Sequence, residues 1–127
     1  MLHDLPEIKR IYIACGRTDL RKGIDGLASL IRDRFILDPF EKDVLFLFCG
    51  SHRDRFKGLV WEGDGFLLLY KRVDAGSFKW PNSTDEMTQI SPDQFRKLLD
   101  GFVVIDTSSI EKDRHPANVI KLGIAWK

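Results

Sequence analysis

The spacing of apolar residues outlines most elements of this chain. Ile8 to Ala14 is rich in β-branched and aromatic residues and runs into Gly16, which predicts a first strand. Leu20, Ile24, Leu27, Ile31 and Phe35 then recur at steps of three or four, the spacing of one helix face. Thr18 suits an N-cap and Asp19 a first turn, so a helix is predicted over about 18–35. Gly23 and Gly26 would each cost such a helix about 1 kcal/mol relative to Ala, which points to close backbone packing. Asp38-Pro39 ends the segment.

Val44 to Phe48 is wholly apolar and reads as a strand buried on both faces. A charged turn follows, Gly50-Ser51-His52-Arg53-Asp54-Arg55. Phe56 to Trp61 reads as a third strand and Phe66 to Arg72 as a fourth. The Asp64-Gly65 step between them suggests the positive φ of a tight hairpin. The three strands over about 44–72 form an antiparallel meander. Residues 73–81 leave the sheet, with room for one more short strand, and Asn82 to Thr88 reads as a polar loop. Ser91-Pro92-Asp93-Gln94 opens a second helix, over about 91–100, with a capping box and Pro at N1. Phe95, Leu98 and Leu99 form its apolar side and Gly101 its C-cap glycine. Beyond it, Phe102 to Ile105 suits a strand, His115-Pro116 a break and Ile120 to Trp126 an extended piece. The expected fold is α+β, a single domain over 1–127. An antiparallel sheet, built on the meander and joined by the N-terminal strand, is covered by two helices.

Composition narrows the class. The chain has 127 residues, 43% hydrophobic and 31% charged, as in globular domains. Its longest apolar runs are too short to cross a bilayer, and no signal-peptide pattern opens it. Cys15 and Cys49 each end a strand and read as reduced, buried thiols, with a cross-strand disulfide as the lesser alternative. A cytoplasmic location is expected. The net charge of +1 makes no general case for nucleic acid, so any such case rests on local patches.

Most familiar chemistries find no foothold. His3, His52 and His115 lie far apart and no Cys or His stands near them at ligand spacing, so no metal is expected. His52-Arg53-Asp54 matches a kinase triplet, but Leu59 stands where its Asn belongs and no Gly-rich loop accompanies it. Phosphate-loop and nucleophile motifs are absent, and no cofactor is implied. Asp19, Asp25, Asp64 and Asp74 would serve a metal-dependent nuclease only if they converged, and each has an ordinary role at hand. What remains is basic and aromatic. Arg53, Arg55 and Lys57 share one face of an extended chain, and Lys71, Arg72, Lys79 and Trp80 follow the next hairpin. A meander brings the two groups to the same end of the sheet. There, cations would hold phosphates and an exposed Trp would stack on a base. A solvated sheet edge guarded by lysines accounts for them equally well.

Further segments stand in a recognisable order: Thr18-Asp19-Leu20-Arg21-Lys22-Gly23-Ile24-Asp25-Gly26-Leu27, Asp38-Pro39-Phe40, Leu45-Phe46-Leu47-Phe48 and Arg53-Asp54-Arg55-Phe56-Lys57. Trp61-Glu62-Gly63-Asp64-Gly65-Phe66, Tyr70-Lys71-Arg72, Gly76-Ser77-Phe78 and Trp80-Pro81 continue it. Over about residues 8–101 the chain resembles the TnpB-type accessory proteins of IS66-group bacterial insertion sequences. Cys49-Gly50-Ser51-His52 departs from the Asn- and Arg-rich turn often found there, and the tail 102–127 follows no family pattern. The resemblance implies a non-enzymatic accessory factor for transposition that acts beside a separate transposase, and it carries no catalytic residues.

Two mechanisms fit that role. In the first, the protein contacts DNA, such as the element's ends, through Arg53, Arg55, Lys57, Lys71, Arg72, Lys79 and Trp80. In the second it is an adaptor that binds the transposase without touching DNA, with Phe78, Trp80 and Trp126 as anchors. A nuclease built on Asp19, Asp64 or Asp74 is a third, weaker reading.

Overall fold

The computed structural model describes residues 7–83, 86–101 and 120–121. Among these residues, seven strands and two helices follow in the order β1 (Glu7–Ile8), β2 (Arg10–Ala14), α1 (Ile24–Asp33), β3 (Val44–Cys49), β4 (Arg55–Trp61), β5 (Phe66–Arg72), β6 (Met87–Ile90), α2 (Pro92–Leu99) and β7 (Ile120–Lys121). Five strands form one sheet in the order β5-β4-β3-β2-β6, and β1 pairs with β7 apart from it. The fold is α+β with a mostly antiparallel sheet, as the patterning indicates. The expected elements at 102–105, 115–116 and 122–126, and Trp126 with them, lie outside the described residues.

The meander is present, with β4 antiparallel to both β3 and β5. The neighbour of the first strand, which patterning leaves open, is β3 on one side, in parallel, and β6 on the other, antiparallel. The parallel pair is possible because α1 lies in the connection between β2 and β3. Every residue of β3, the central strand, is buried.

Each face of the sheet has its own core. On one side Leu27 and Ile31 of α1 pack on Val44, Phe46, Phe48 and Leu59. On the other, Phe95 and Leu98 of α2 pack on Ile11, Leu45, Leu47, Phe56 and Val60, together with Phe78 and Trp80 from the segment after β5. Gly58 leaves room for the Leu45 side chain in this second core: a Cβ there would stand 3.0 Å from Leu45 Cδ1.

Four expectations change. The first helix starts at Ile24, not near Thr18, and its N-cap is Gly23 rather than Thr18. Gly23 therefore carries no cost inside the helix. Asp19 instead accepts hydrogen bonds from the backbone N and Nε of Arg21, an Asx-type turn that competes with helix. Leu20 and Phe35 still pack in the same core as the helix between them, so the apolar spacing reports a shared face and overstates helix length. In the hairpin the left-handed residue is Gly63, φ 103°, and not the Asp64-Gly65 step. The polar stretch 82–88 does not stay a loop: Met87 and Thr88 begin β6, a four-residue edge strand. Edge strands tolerate polar residues on their open side, which hides them from apolar patterning. The second helix matches its expected signals, with both halves of the Ser91–Gln94 capping box formed and Gly101 at φ 88°.

Candidate functional site

One end of the sheet gathers the chain's most informative residues. The loop 17–22 crosses the end of β3, where Thr18 N donates to Cys49 O at 2.8 Å. Gly50 permits the crossing, since a Cβ there would stand 3.1 Å from Thr18 O and 3.3 Å from Leu20 Cγ. Lys57 ties the far side of the loop down, its Nζ donating to Lys22 O at 3.0 Å. Between this loop, the β3–β4 turn and the ends of β4 and β5 lies an open groove of about 670 Å³. Leu20, Arg21, His52, Arg55, Lys57 and Tyr70 are among the residues that line it.

Strand register builds the groove wall. Arg55 stands opposite Arg72 and Lys57 opposite Tyr70. Alternation puts all four on the α1 side of the sheet, beyond the helix. Two cations directly opposite one another are normally unfavourable in a sheet. Asp54 offsets this by chelating Arg55, with contacts of 2.7 Å to Nε and 3.1 Å to a terminal nitrogen. The Arg55 guanidinium is pushed above its ordinary pKa by that hydrogen bond first, with a smaller contribution from the Tyr70 hydroxyl. Asp54 is lowered in turn, chiefly by Arg55. Asp19 is held at about 2 by its side-chain bond to Arg21, and Arg21 is raised by the same bond. Arg21, Arg55, Lys57 and Arg72 thus face two carboxylates, Asp19 and Asp54, and this end of the sheet keeps an excess of positive charge.

The seven residues singled out from the sequence divide. Arg55, Lys57 and Arg72 share the groove side. Lys71 lies on the opposite face by alternation, as the register partner of Phe56. Lys79 is exposed between the buried Phe78 and Trp80, in the segment that packs on the α2 side. Arg53 braces the turn: its guanidinium donates to Gly16 O at 3.3 Å and to Asn82 Oδ1. Trp80 corrects an expectation. It is only 5% exposed, and its Nε1 donates to Ala14 O at 2.9 Å, so it is core and offers no stacking surface. Phe78, 4% exposed, is no docking anchor either. Arg21 and Tyr70 join the site unforeseen. Tyr70 is 53% exposed, although it sits in a strand that reads as apolar.

Among the described residues no three of His, Cys, Asp and Glu gather to hold a metal, so Asp19, Asp64 and Asp74 do not converge there. Both cysteines are free and buried, and burial raises the Cys49 thiol above its ordinary pKa. No helix among the described residues is long and apolar enough to cross a membrane.

A family model described as IS66 Orf2-like protein matches residues 9–109, so the family pattern runs past the expected limit near 101 into the first part of the tail. Two proteins of Sinorhizobium fredii, each described as uncharacterized, are similar over 92 residues. Protein y4jC is 33% identical, over 72% of this chain and 78% of its own length. Protein y4hO is 37% identical, over 72% of this chain and 79% of its own length. No solved structure matches the chain.

Proposed function

This chain belongs to the IS66 Orf2-like family of transposition accessory proteins, and we propose that it acts by contacting DNA phosphates, without catalysis, beside the transposase of its element. The observation that carries this reading is the gathering of Arg55, Lys57 and Arg72 on one open face, next to the loop that bears Arg21. Cations placed together contribute to DNA affinity through counterion release, independently of net charge. Lys71 and Lys79 add positive charge on the other face of the same end, and Arg53 supports the turn that presents Arg55.

The test is a titration against a duplex of the element's terminal inverted repeat and against a scrambled duplex, each at two salt concentrations. The expected result is salt-sensitive binding that Arg55→Glu with Lys57→Glu abolishes, in a protein whose circular dichroism is unchanged. Binding insensitive to both salt and charge reversal would overturn the reading.

One observation favours the adaptor as a second reading, on residues other than those expected. The loop between α1 and β3 exposes Ile36 at 77% and Phe40 at 52%, with Phe40 packed on Trp61 and Phe66. Co-purification with the transposase, abolished by Ile36→Ser with Phe40→Ser, is the result this reading requires.

A further inference from the structure

The groove differs from a plain basic patch in one respect: an aromatic ring stands open among its cations. Tyr70 is more than half exposed. Among the described residues no ring or cation stacks on it. It lies on β5, an edge strand, with Lys57 opposite and Arg72 two residues along the same face. A tyrosine at a strand end ordinarily covers itself with neighbouring apolar surface. Here its strand neighbours on that face are Leu68, which packs in the α1-side core, and Arg72.

The shape of the site selects among forms of DNA. A groove of about 670 Å³ falls in the range that encloses a group of small-molecule size. A duplex keeps its bases stacked on one another and closed to Tyr70, so it reaches these cations only with its phosphates, across the mouth of the groove. A single strand has no such restriction. Same-face positions on a strand lie about 6.6–7 Å apart, the scale of one extended nucleotide step. Phosphates held at Lys57 and Arg55 would leave the intervening base beside the Tyr70 ring. Base–aromatic stacking with cations along the backbone is the general mode by which proteins hold single strands without reading sequence.

Resting on the DNA-contact reading above, we propose that the groove is a single-strand site: it takes an unpaired DNA segment, with Tyr70 as the stacking platform and Arg55 and Lys57 as the phosphate ligands. An accessory factor of this kind would act on DNA that is already open or frayed.

The test compares fluorescent oligothymidylate, about 12 nucleotides long, with a duplex of the same length, by polarisation. The wild-type protein is expected to bind the single strand at least about tenfold more tightly than the duplex. Tyr70→Ala is expected to lower single-strand affinity about tenfold more than duplex affinity, whereas Tyr70→Phe, which keeps the ring, retains the preference. Equal affinity for the two probes, or a preference untouched by Tyr70→Ala, overturns the single-strand site. Duplex binding that is salt-sensitive and abolished by Arg55→Glu with Lys57→Glu would then leave the DNA-contact reading standing. Absence of binding to both probes overturns the two together.

Discussion

Arg55 and Phe56 are neighbours in the chain and belong to opposite worlds. On the α2 side, Phe56 is wholly buried, with Phe78 edge-on at 4.9 Å and Trp80 at 5.6 Å between ring centres. On the α1 side, Arg55, Lys57 and Tyr70 stand past the reach of the helix, around an open groove. One end of one sheet is therefore sealed on one face and open on the other. Basic and aromatic residues close in sequence need not form one surface. Trp80 and Phe78 seal, while Arg55, Lys57 and Tyr70 present.

The largest effect is expected on the sealed side. Phe56→Ala removes a fully buried ring, and such truncations cost about 3–5 kcal/mol. A large fall in melting temperature is expected, with DNA affinity per folded molecule retained. An equal loss of affinity in protein that remains folded would show that the two faces are coupled and the contrast false.

The open side responds in the reverse manner. Arg55→Gln with Lys57→Gln removes the charges and leaves the core untouched, and its expected effect lies in the salt dependence of DNA binding. Removing one phosphate-binding cation flattens the dependence of log affinity on log salt by about one, so removing the pair flattens it by about two. An unchanged slope with reduced affinity would mean that these residues act through structure and not through phosphates.

How much of this contrast is legible in the sequence depends on the range of the interaction. The meander, the capped second helix and the buried central strand follow from local signals: apolar runs, Ser91 with Gln94, and Gly101. The convergence of β4 and β5 follows from their hairpin. Once Trp61 pairs with Phe66, counting outward puts Lys57 opposite Tyr70 and Arg55 opposite Arg72. Tyr70 is therefore within reach of the same counting, hidden only by the apolar run Phe66 to Leu69. The fate of Trp80 is not within reach. Its partner, Ala14 O, is 66 residues away, and the hydrogen bond depends on a fold no local pattern encodes. Arg21 is masked similarly. The segment 17–22 carries helix-like spacing, but the Asp19–Arg21 turn wins locally, and the long-range hydrogen bonds of Thr18 to Cys49 and of Lys57 to Lys22 set it over the groove.

A smaller effect is expected at the lid of the sealed side. Ser91 caps α2 by accepting from Gln94 N at 3.0 Å, and Gln94 returns the bond to Ser91 N at 2.7 Å. Ser91→Ala is expected to cost about 1 kcal/mol, a lesser loss than Phe56→Ala because the helix keeps its apolar anchors Phe95 and Leu98. Chemical denaturation measures it, and DNA affinity should not move. A cost comparable to that of the ring would mean that the cap, rather than the buried side chains, holds α2 in place.

The smallest expected effect lies in the groove and has a sign of its own. Asp19 holds Arg21 through contacts of 3.0 and 2.9 Å and so competes with phosphate for it, as Asp54 competes for Arg55. Asp19→Asn should release it, raising DNA affinity slightly and steepening its salt dependence by about one. Acid does not substitute for the mutation. The carboxyl is lowered from 3.8 to about 2, so the ion pair contributes fully above pH 3.8 and is lost only as the pH falls through about 2. Across every pH at which duplex DNA is intact, Arg21 stays partnered in the wild type. The variant and the wild type should therefore differ by a constant factor from about pH 5 to pH 8, and not converge at the acid end. Convergence near pH 5 would mean that the Asp19–Arg21 pair opens when DNA is bound. A variant with weaker binding would mean that the turn itself, rather than the freed guanidinium, shapes the groove.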